Sequence, residues 1–240
     1  MSEKFIEFAG LYIKGIVLEN LFKNKNFEYI TTLNAEFFSL ANKDNLFKHI
    51  INNSVATLDG QIPFYFAKKQ NPFTKIEKLS GSQIIYDFCE YAKLNNKKVF
   101  LLGGLDMSNK ISVKKLSYDY NIQVFGYSPP FATFPFCPTI NNEIQTRIAS
   151  TRPDIIFVGF GAPKQEYWIY ENLEFLASIG LWRAIGVGGT FEFISGKFKR
   201  APKFLQNLGL EGIYRFYKEP SYKRLRRLFI SLLALRFFIK

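Results

Sequence analysis

Asp154-Ile-Ile-Phe-Val-Gly-Phe-Gly-Ala-Pro-Lys-Gln-Glu166 carries an apolar run straight into a glycine turn and then into polar side chains. An apolar run without period-two alternation reads as a strand buried on both faces, the form that parallel sheets take. Glycines let the backbone turn tightly and approach a ligand, and the helix that follows opens with free N–H groups. Glycines alone fit any strand–turn–helix joint, so the reading rests on repetition. Lys98-Val-Phe-Leu-Leu-Gly-Gly104 and Trp182-Arg-Ala-Ile-Gly-Val-Gly-Gly189 have the same form.

Outward from these stretches, strands and helices alternate. Residues 11–18 read as a first strand with a turn, and Tyr29–Asn34, Ser54–Asp59 and Ile122–Gly126 as strands. Ala35–Asn52, Ser82–Asn95, Glu143–Ser150 and Lys164–Ile179 have helical spacing, and a further helix is expected before Ile122. Residues 70–81 and 127–139, the latter with four prolines, read as long loops. The expected fold is α/β: a mainly parallel sheet with helices on both faces, Rossmann-like, plus a basic C-terminal helical appendage. The expected division is a catalytic domain over 1–196 and the appendage over 197–240.

Composition narrows the function. The 240 residues are 48% hydrophobic, 22% charged and 18% aromatic, enough for a full core. Two cysteines, Cys89 and Cys137, argue against a disulfide framework, and no His/Cys cluster offers zinc ligands. The only histidine, His49, reads as structural. The start, Met1-Ser-Glu-Lys-Phe-Ile-Glu-Phe8, lacks the pattern of a signal peptide, so a cytoplasmic location is expected. Net charge is +12, and it is lopsided. Residues 197–240 hold 12 Lys/Arg against Glu211 and Glu219, which leaves the body near neutral. Tyr222–Lys240 mixes arginines with Leu and Phe, shorter than the roughly 20 apolar residues of a span and suited to lying in a membrane interface. An ordinary helix packed on the core is the plainer alternative. A basic nucleic-acid-binding module is a remote one, because it leaves the glycine turns without a use.

Strand ends at the carboxyl edge of such a sheet carry ligands. They deliver Thr32 and Asn34, Asp59, Gly103 and Gly104, Gly159–Gln165, and Gly186–Glu192. No Gly-x-Gly-x-x-Gly is complete and no Gly-Lys-Ser/Thr occurs, so dinucleotide and P-loop readings are weak. Asp59, after an apolar run, has the setting of a general base, though Asp before Gly is also a common turn former.

In chain order, Thr32-Leu-Asn34, Leu58-Asp-Gly60, Leu101-Leu-Gly-Gly104, Ser128-Pro-Pro-Phe131, Gly159-Phe-Gly-Ala-Pro-Lys-Gln-Glu166, Gly186-Val-Gly-Gly-Thr-Phe191, Lys199-Arg-Ala-Pro202 and Tyr214-Arg215 occur together. This set resembles the WecG/TagA/CpsF glycosyltransferases (glycosyltransferase family 26) over residues 10–227. The resemblance implies inverting transfer of a sugar, N-acetylmannosamine, its uronic acid or a related hexose. The donor would be a UDP-sugar and the acceptor a polyprenyl-diphosphate-linked sugar of cell-surface polysaccharide. Asp59 would be the base, with Thr32 and Asn34 beside it. Gln165 would contact the donor, and Glu192 falls where the family has a nucleotide-binding Asp. Gly103, Gly104, Gly161, Gly188 and Gly189 would shape the donor site. No cofactor, metal or nucleic acid is implied, and self-association is left open. The sequence has no Asp-x-Asp to clamp a metal on the diphosphate, so the leaving UDP would be met by backbone N–H groups and cations. Arg215 leads Lys78, Lys164 and Arg200 for that role. The family's Arg and Asp are Lys78 and Gln83 here, which leaves the sugar open and keeps a catalytically idle UDP-sugar-binding relative as an alternative.

Overall fold

The structure, a computed structural model, describes residues 5–198, 201–202, 205, 210–218, 220 and 222–238, without the side chains of Glu211, Arg215, Lys223, Arg224 and Arg227. Its strands are β1 (Ile6–Phe8), β2 (Leu11–Ile13), β3 (Glu28–Leu33), β4 (Val55–Leu58), β5 (Val99–Gly103), β6 (Val124–Tyr127), β7 (Ile155–Gly159) and β8 (Arg183–Gly186). β1 and β2 form an antiparallel hairpin. The other six form one sheet in the order β4-β3-β8-β7-β5-β6, mainly parallel, with helices around it. That is the expected Rossmann-like α/β class. The chain divides into two compact units: residues 1–23, 31–80 and 199–240, and residues 24–30 with 81–198.

The second unit holds most of the sheet. β5 and β7 are apolar almost throughout and buried along their length, as central parallel strands must be. Register places Gly103 opposite Gly159 and Val158 opposite Gly186, so three strands reach their glycine turns at one level. At the other end of these strands, Arg183 is wholly buried. Its guanidinium donates to the carbonyls of Asn24, Asn26 and Trp182, pairs with Glu28 at 3.0 Å and lies 4.1 Å from the Trp182 ring centroid. Burial lowers its pKa to about 10, still far above neutrality, so the buried guanidinium stays charged. The helices here are α5 (Gly81–Leu94), α6 (Asp106–Tyr120), α7 (Pro138–Thr151), α8 (Lys164–Glu171), α9 (Leu173–Ser178) and α10 (Thr190–Ile194). One continuous helix was expected over Lys164–Ile179. It is interrupted at Asn172, whose side-chain amide donates to the Trp168 carbonyl while its oxygen accepts from Gln145 and Asn141. A side chain that competes for helix carbonyls in this way ends the run. α7 starts five residues earlier than expected, with Pro138 at its first turn, where a missing N–H costs nothing.

The first unit contains α1 (Asn20–Lys23), α2 (Ala35–Ala41), α3 (Asn45–Asn53), α4 (Gln61–Gln70), α11 (Glu211–Lys218) and α12 (Tyr222–Phe238). Two expectations are corrected. Residues 11–18 supply a strand only to Ile13, because Ala9 and Gly10, both at positive φ, form a two-residue turn that pairs Leu11–Ile13 back onto β1. The helix expected over Ala35–Asn52 is two helices. The Asn42 amide donates to the Phe38 carbonyl at the end of α2, and Asp44 caps α3 by accepting from the Phe47 N–H.

α12 is anchored by one face. Ala234 and Phe238 are buried, the Ser39 hydroxyl donates to the Ile230 carbonyl, and Gln70 donates to the Phe238 carbonyl. The Phe238 ring meets Phe8, Phe38 and Phe66 at centroid distances of 5.1, 5.0 and 5.9 Å. Replacing Phe238 by Ala is expected to cost about 3 kcal/mol, because it empties a packed aromatic site. A thermal melt reads this as a clear drop in Tm.

Candidate functional site

The second unit gathers three glycine turns after β5, β7 and β8, and their glycines do two different jobs. Four answer to packing, and a Cβ on the fifth, Gly189, would be in ordinary contact only. A Cβ on Gly103 would stand 2.7 Å from the Phe160 ring, and one on Gly104 or Gly159 would stand 2.8 or 2.7 Å from the Phe191 ring. A Cβ on Gly186 would meet the Gln165 amide at 2.6 Å, and Gly189 faces the Glu192 carboxylate at 3.4 Å. Gly161 and Gly188 share the positive φ of Gly103 and Gly104, at +79° and +54°, but among the described residues no atom lies within 4 Å of the place a Cβ would occupy. The backbone is open to an incoming ligand at those two positions. Gly159→Ala, by contrast, is expected to cost about 1–3 kcal/mol by overpacking against Phe191, measurable as a lowered denaturation midpoint.

Polar side chains tie the turns into a ring. The Gly104 N–H donates to the Gly159 carbonyl at 3.1 Å, joining the turns after β5 and β7. Gln165 Oε1 accepts from the Gly161 N–H at 3.1 Å and the Gly188 N–H at 3.0 Å, joining those after β7 and β8. Glu192 Oε1 accepts from the Leu105 N–H at 3.1 Å, joining α10 back to the turn after β5. A carboxylate at that point also suits the positive start of α6. Gln165 Nε2 donates to Glu166 Oε1 at 2.7 Å, and both side chains are buried.

Two residues of this ring escape the sequence reading. The Asn109 amide donates to the carbonyls of Leu101 and Gly103, and the Ser128 hydroxyl points to those of Gly103 and Gly104. Ser128 had a signal, since it lies in the quoted Ser128-Pro-Pro-Phe131 stretch; Asn109 had none. The loop after Ser128 exposes Phe131 fully, with Lys164 Nζ 5.8 Å from its ring centroid. Phe134 stacks on Tyr167, and Phe136 packs edge-on against Phe160, next to Gly161.

The first unit holds the other predicted group. Thr32 and Asn34 stand at the carboxyl end of β3, and Asp59 follows β4. The Asp59 N–H donates to the Leu33 carbonyl at 2.8 Å, which holds the acid beside them. Thr32 is buried, and Asn34 Oδ1 caps α2 by accepting from the Glu36 N–H at 2.9 Å. Gly60, at φ +98°, turns the chain from Asp59 into α4. Lys78 Nζ donates to Gln61 Oε1 at 3.1 Å, which places this lysine by the start of α4. Arg200 and the Arg215 side chain lie outside the described residues.

Gly103, Gly104, Gly161, Gly188, Gly189, Gln165 and Glu192 are therefore assembled in one unit, and Thr32, Asn34, Asp59 and Lys78 in the other. Among the described residues no three His, Cys, Asp or Glu side chains cluster as metal ligands would. Burial pushes the Cys89 thiol up to about 12, so it carries no nucleophile at neutral pH. A family model described as the glycosyl transferase WecG/TagA/CpsF family matches residues 10–240, nearly the whole chain.

Proposed function

The chain belongs to the WecG/TagA/CpsF glycosyltransferase family, and on that premise we propose a UDP-sugar-dependent hexosyltransferase of cell-surface polysaccharide synthesis. The donor is UDP-N-acetylmannosamine, its uronic acid or a related UDP-hexose, and the acceptor is a hydroxyl of a polyprenyl-diphosphate-linked sugar. The observation that carries the reading is the match over residues 10–240, with the three braced glycine turns as its physical support.

The acceptor hydroxyl attacks the anomeric carbon, its proton passes to the Asp59 carboxylate, and the bond from that carbon to the UDP oxygen breaks. Attack opposite the leaving group inverts the centre. Thr32 and Asn34 sit next to Asp59 to orient the hydroxyl. The diphosphate leaves with developing negative charge, which cations and backbone N–H groups stabilise without a metal. Arg215 on α11 is assigned that role first, and Lys78 second, because Lys78 already serves Gln61. Glu192 and the glycine turns shape the nucleotide side.

The acceptor is membrane-borne, and α12 supplies the means to reach it. Leu225, Phe229, Leu232 and Leu233 are exposed on this helix together with Arg226 and Arg236. Apolar side chains flanked by arginine suit insertion beneath anionic headgroups. No helix among the described residues is long and apolar enough to cross a membrane, and the proposed location is peripheral, on the cytoplasmic face.

A panel of UDP-hexoses offered with a short-chain polyprenyl-diphosphate-N-acetylglucosamine acceptor tests the reading. A product heavier by the mass of the transferred sugar residue is expected with one donor. No product with any donor would overturn it.

A further inference from the structure

Gln165 reads from sequence as a residue that touches the donor, but its side-chain oxygen is already spent. It is 2% exposed, both lone pairs of Oε1 are filled by the N–H groups of Gly161 and Gly188, and Nε2 donates to Glu166. An amide used in this way cannot accept from a ligand without breaking a buried hydrogen bond, and one of its two Nε2 hydrogens is also taken. What it does is fix two turns against each other. They are the two whose glycines, among the described residues, have open space where a side chain would lie, while Gly103, Gly104, Gly159 and Gly186 are packed.

We propose that Gln165 is a positioning residue that staples the turns after β7 and β8, so that the Cα faces of Gly161 and Gly188 form a flat floor for a nucleoside diphosphate sugar. This rests on the donor reading above and deepens it. Both glycine N–H groups point into the staple, so recognition at this edge is by contact and shape, with the backbone amides withheld from the phosphates. The need for glycine at 161 and 188 then has two sources: the positive φ, and the absence of a side chain over the floor. Gly186 has a third reason, because a methyl there would strike the Gln165 amide itself.

Two variants separate the parts. Gln165→Leu removes the staple and leaves the floor clear. Gly188→Ala keeps the N–H in the staple but stands a methyl on the floor, and its φ of +54° lies where alanine is tolerated at modest cost. UDP is the probe, by calorimetry, alongside amide hydrogen exchange of the ligand-free protein. Gln165→Leu is expected to speed exchange at Gly161 and Gly188 at least tenfold and to weaken UDP binding at least tenfold. Gly188→Ala is expected to weaken UDP binding as much, with Gly161 exchange unchanged. A side chain that merely touched the donor would leave exchange in the free protein unaltered.

Unchanged exchange in Gln165→Leu, or UDP binding that survives the loss of protection, overturns the staple. If Gln165→Leu does not fold, Gly188→Ala still decides: wild-type UDP affinity in that variant overturns the floor. Failure of the wild-type protein to bind UDP removes the donor reading and this role with it, an outcome distinct from failure of either variant.

Discussion

Replacing Asp59 by Asn is expected to lower turnover by about 10²–10⁴-fold while leaving UDP affinity within about twofold. Asparagine fills the same volume and keeps an oxygen for its neighbours, but its amide cannot take up the acceptor proton. The backbone tie from Asp59 to Leu33 does not involve the side chain, so the strand ends keep their places. Single-turnover measurement with the lipid-linked acceptor separates this chemical step from binding. Near-wild-type turnover would mean that another group takes the proton. A loss that appeared only in KM would make Asp59 a binding residue and not the base.

The second large effect belongs to α12. Phe229, Leu232 and Leu233 are 59, 61 and 56% exposed, so changing all three to Ser should leave the melting temperature nearly unmoved. Burying the exposed halves of these side chains in lipid is worth about 3 kcal/mol in total, roughly a hundredfold in partitioning. Co-sedimentation with anionic vesicles should fall by that order, and added salt should weaken what remains, since the arginine share is screened. Wild-type vesicle binding by the triple variant would remove this face as the contact. Phe238→Ala makes the opposite pattern, a loss of fold stability with the outward face intact.

The fold was legible in the central strands because burial on both faces leaves an uninterrupted apolar run, as at Val99–Gly103 and Ile155–Gly159. Helix breaks were not. Asn42 and Asn172 look like ordinary polar positions until their amides are seen bonded to carbonyls four residues back. In the candidate site, the types and positions of residues were visible, but the division of labour among glycines was not. Whether a glycine serves a neighbour or a ligand depends on what faces its missing side chain. For Gly159 that is Phe191, more than thirty residues away in sequence, and for Gly161 it is open space. Gln165 was found by its motif, and its bonding partners recast what it does. α12 fits neither expectation alone: it packs on the core as an ordinary terminal helix would, yet turns a second apolar face outward.

The aromatic cluster around Phe238 has a consequence for synthesis. Phe8 stacks on Phe238, a ring made long after it in chain order. Phe38 and Phe66 wait for the same partner. This core cannot close before Phe238 has been made, however early its own helices form. A chain stopped anywhere before Phe238 leaves those rings uncovered, the condition under which chaperones bind and aggregation starts. Completion of the core and delivery of the outward-facing helix are therefore one event, so a chain that has not finished folding has no settled face with which to meet a membrane.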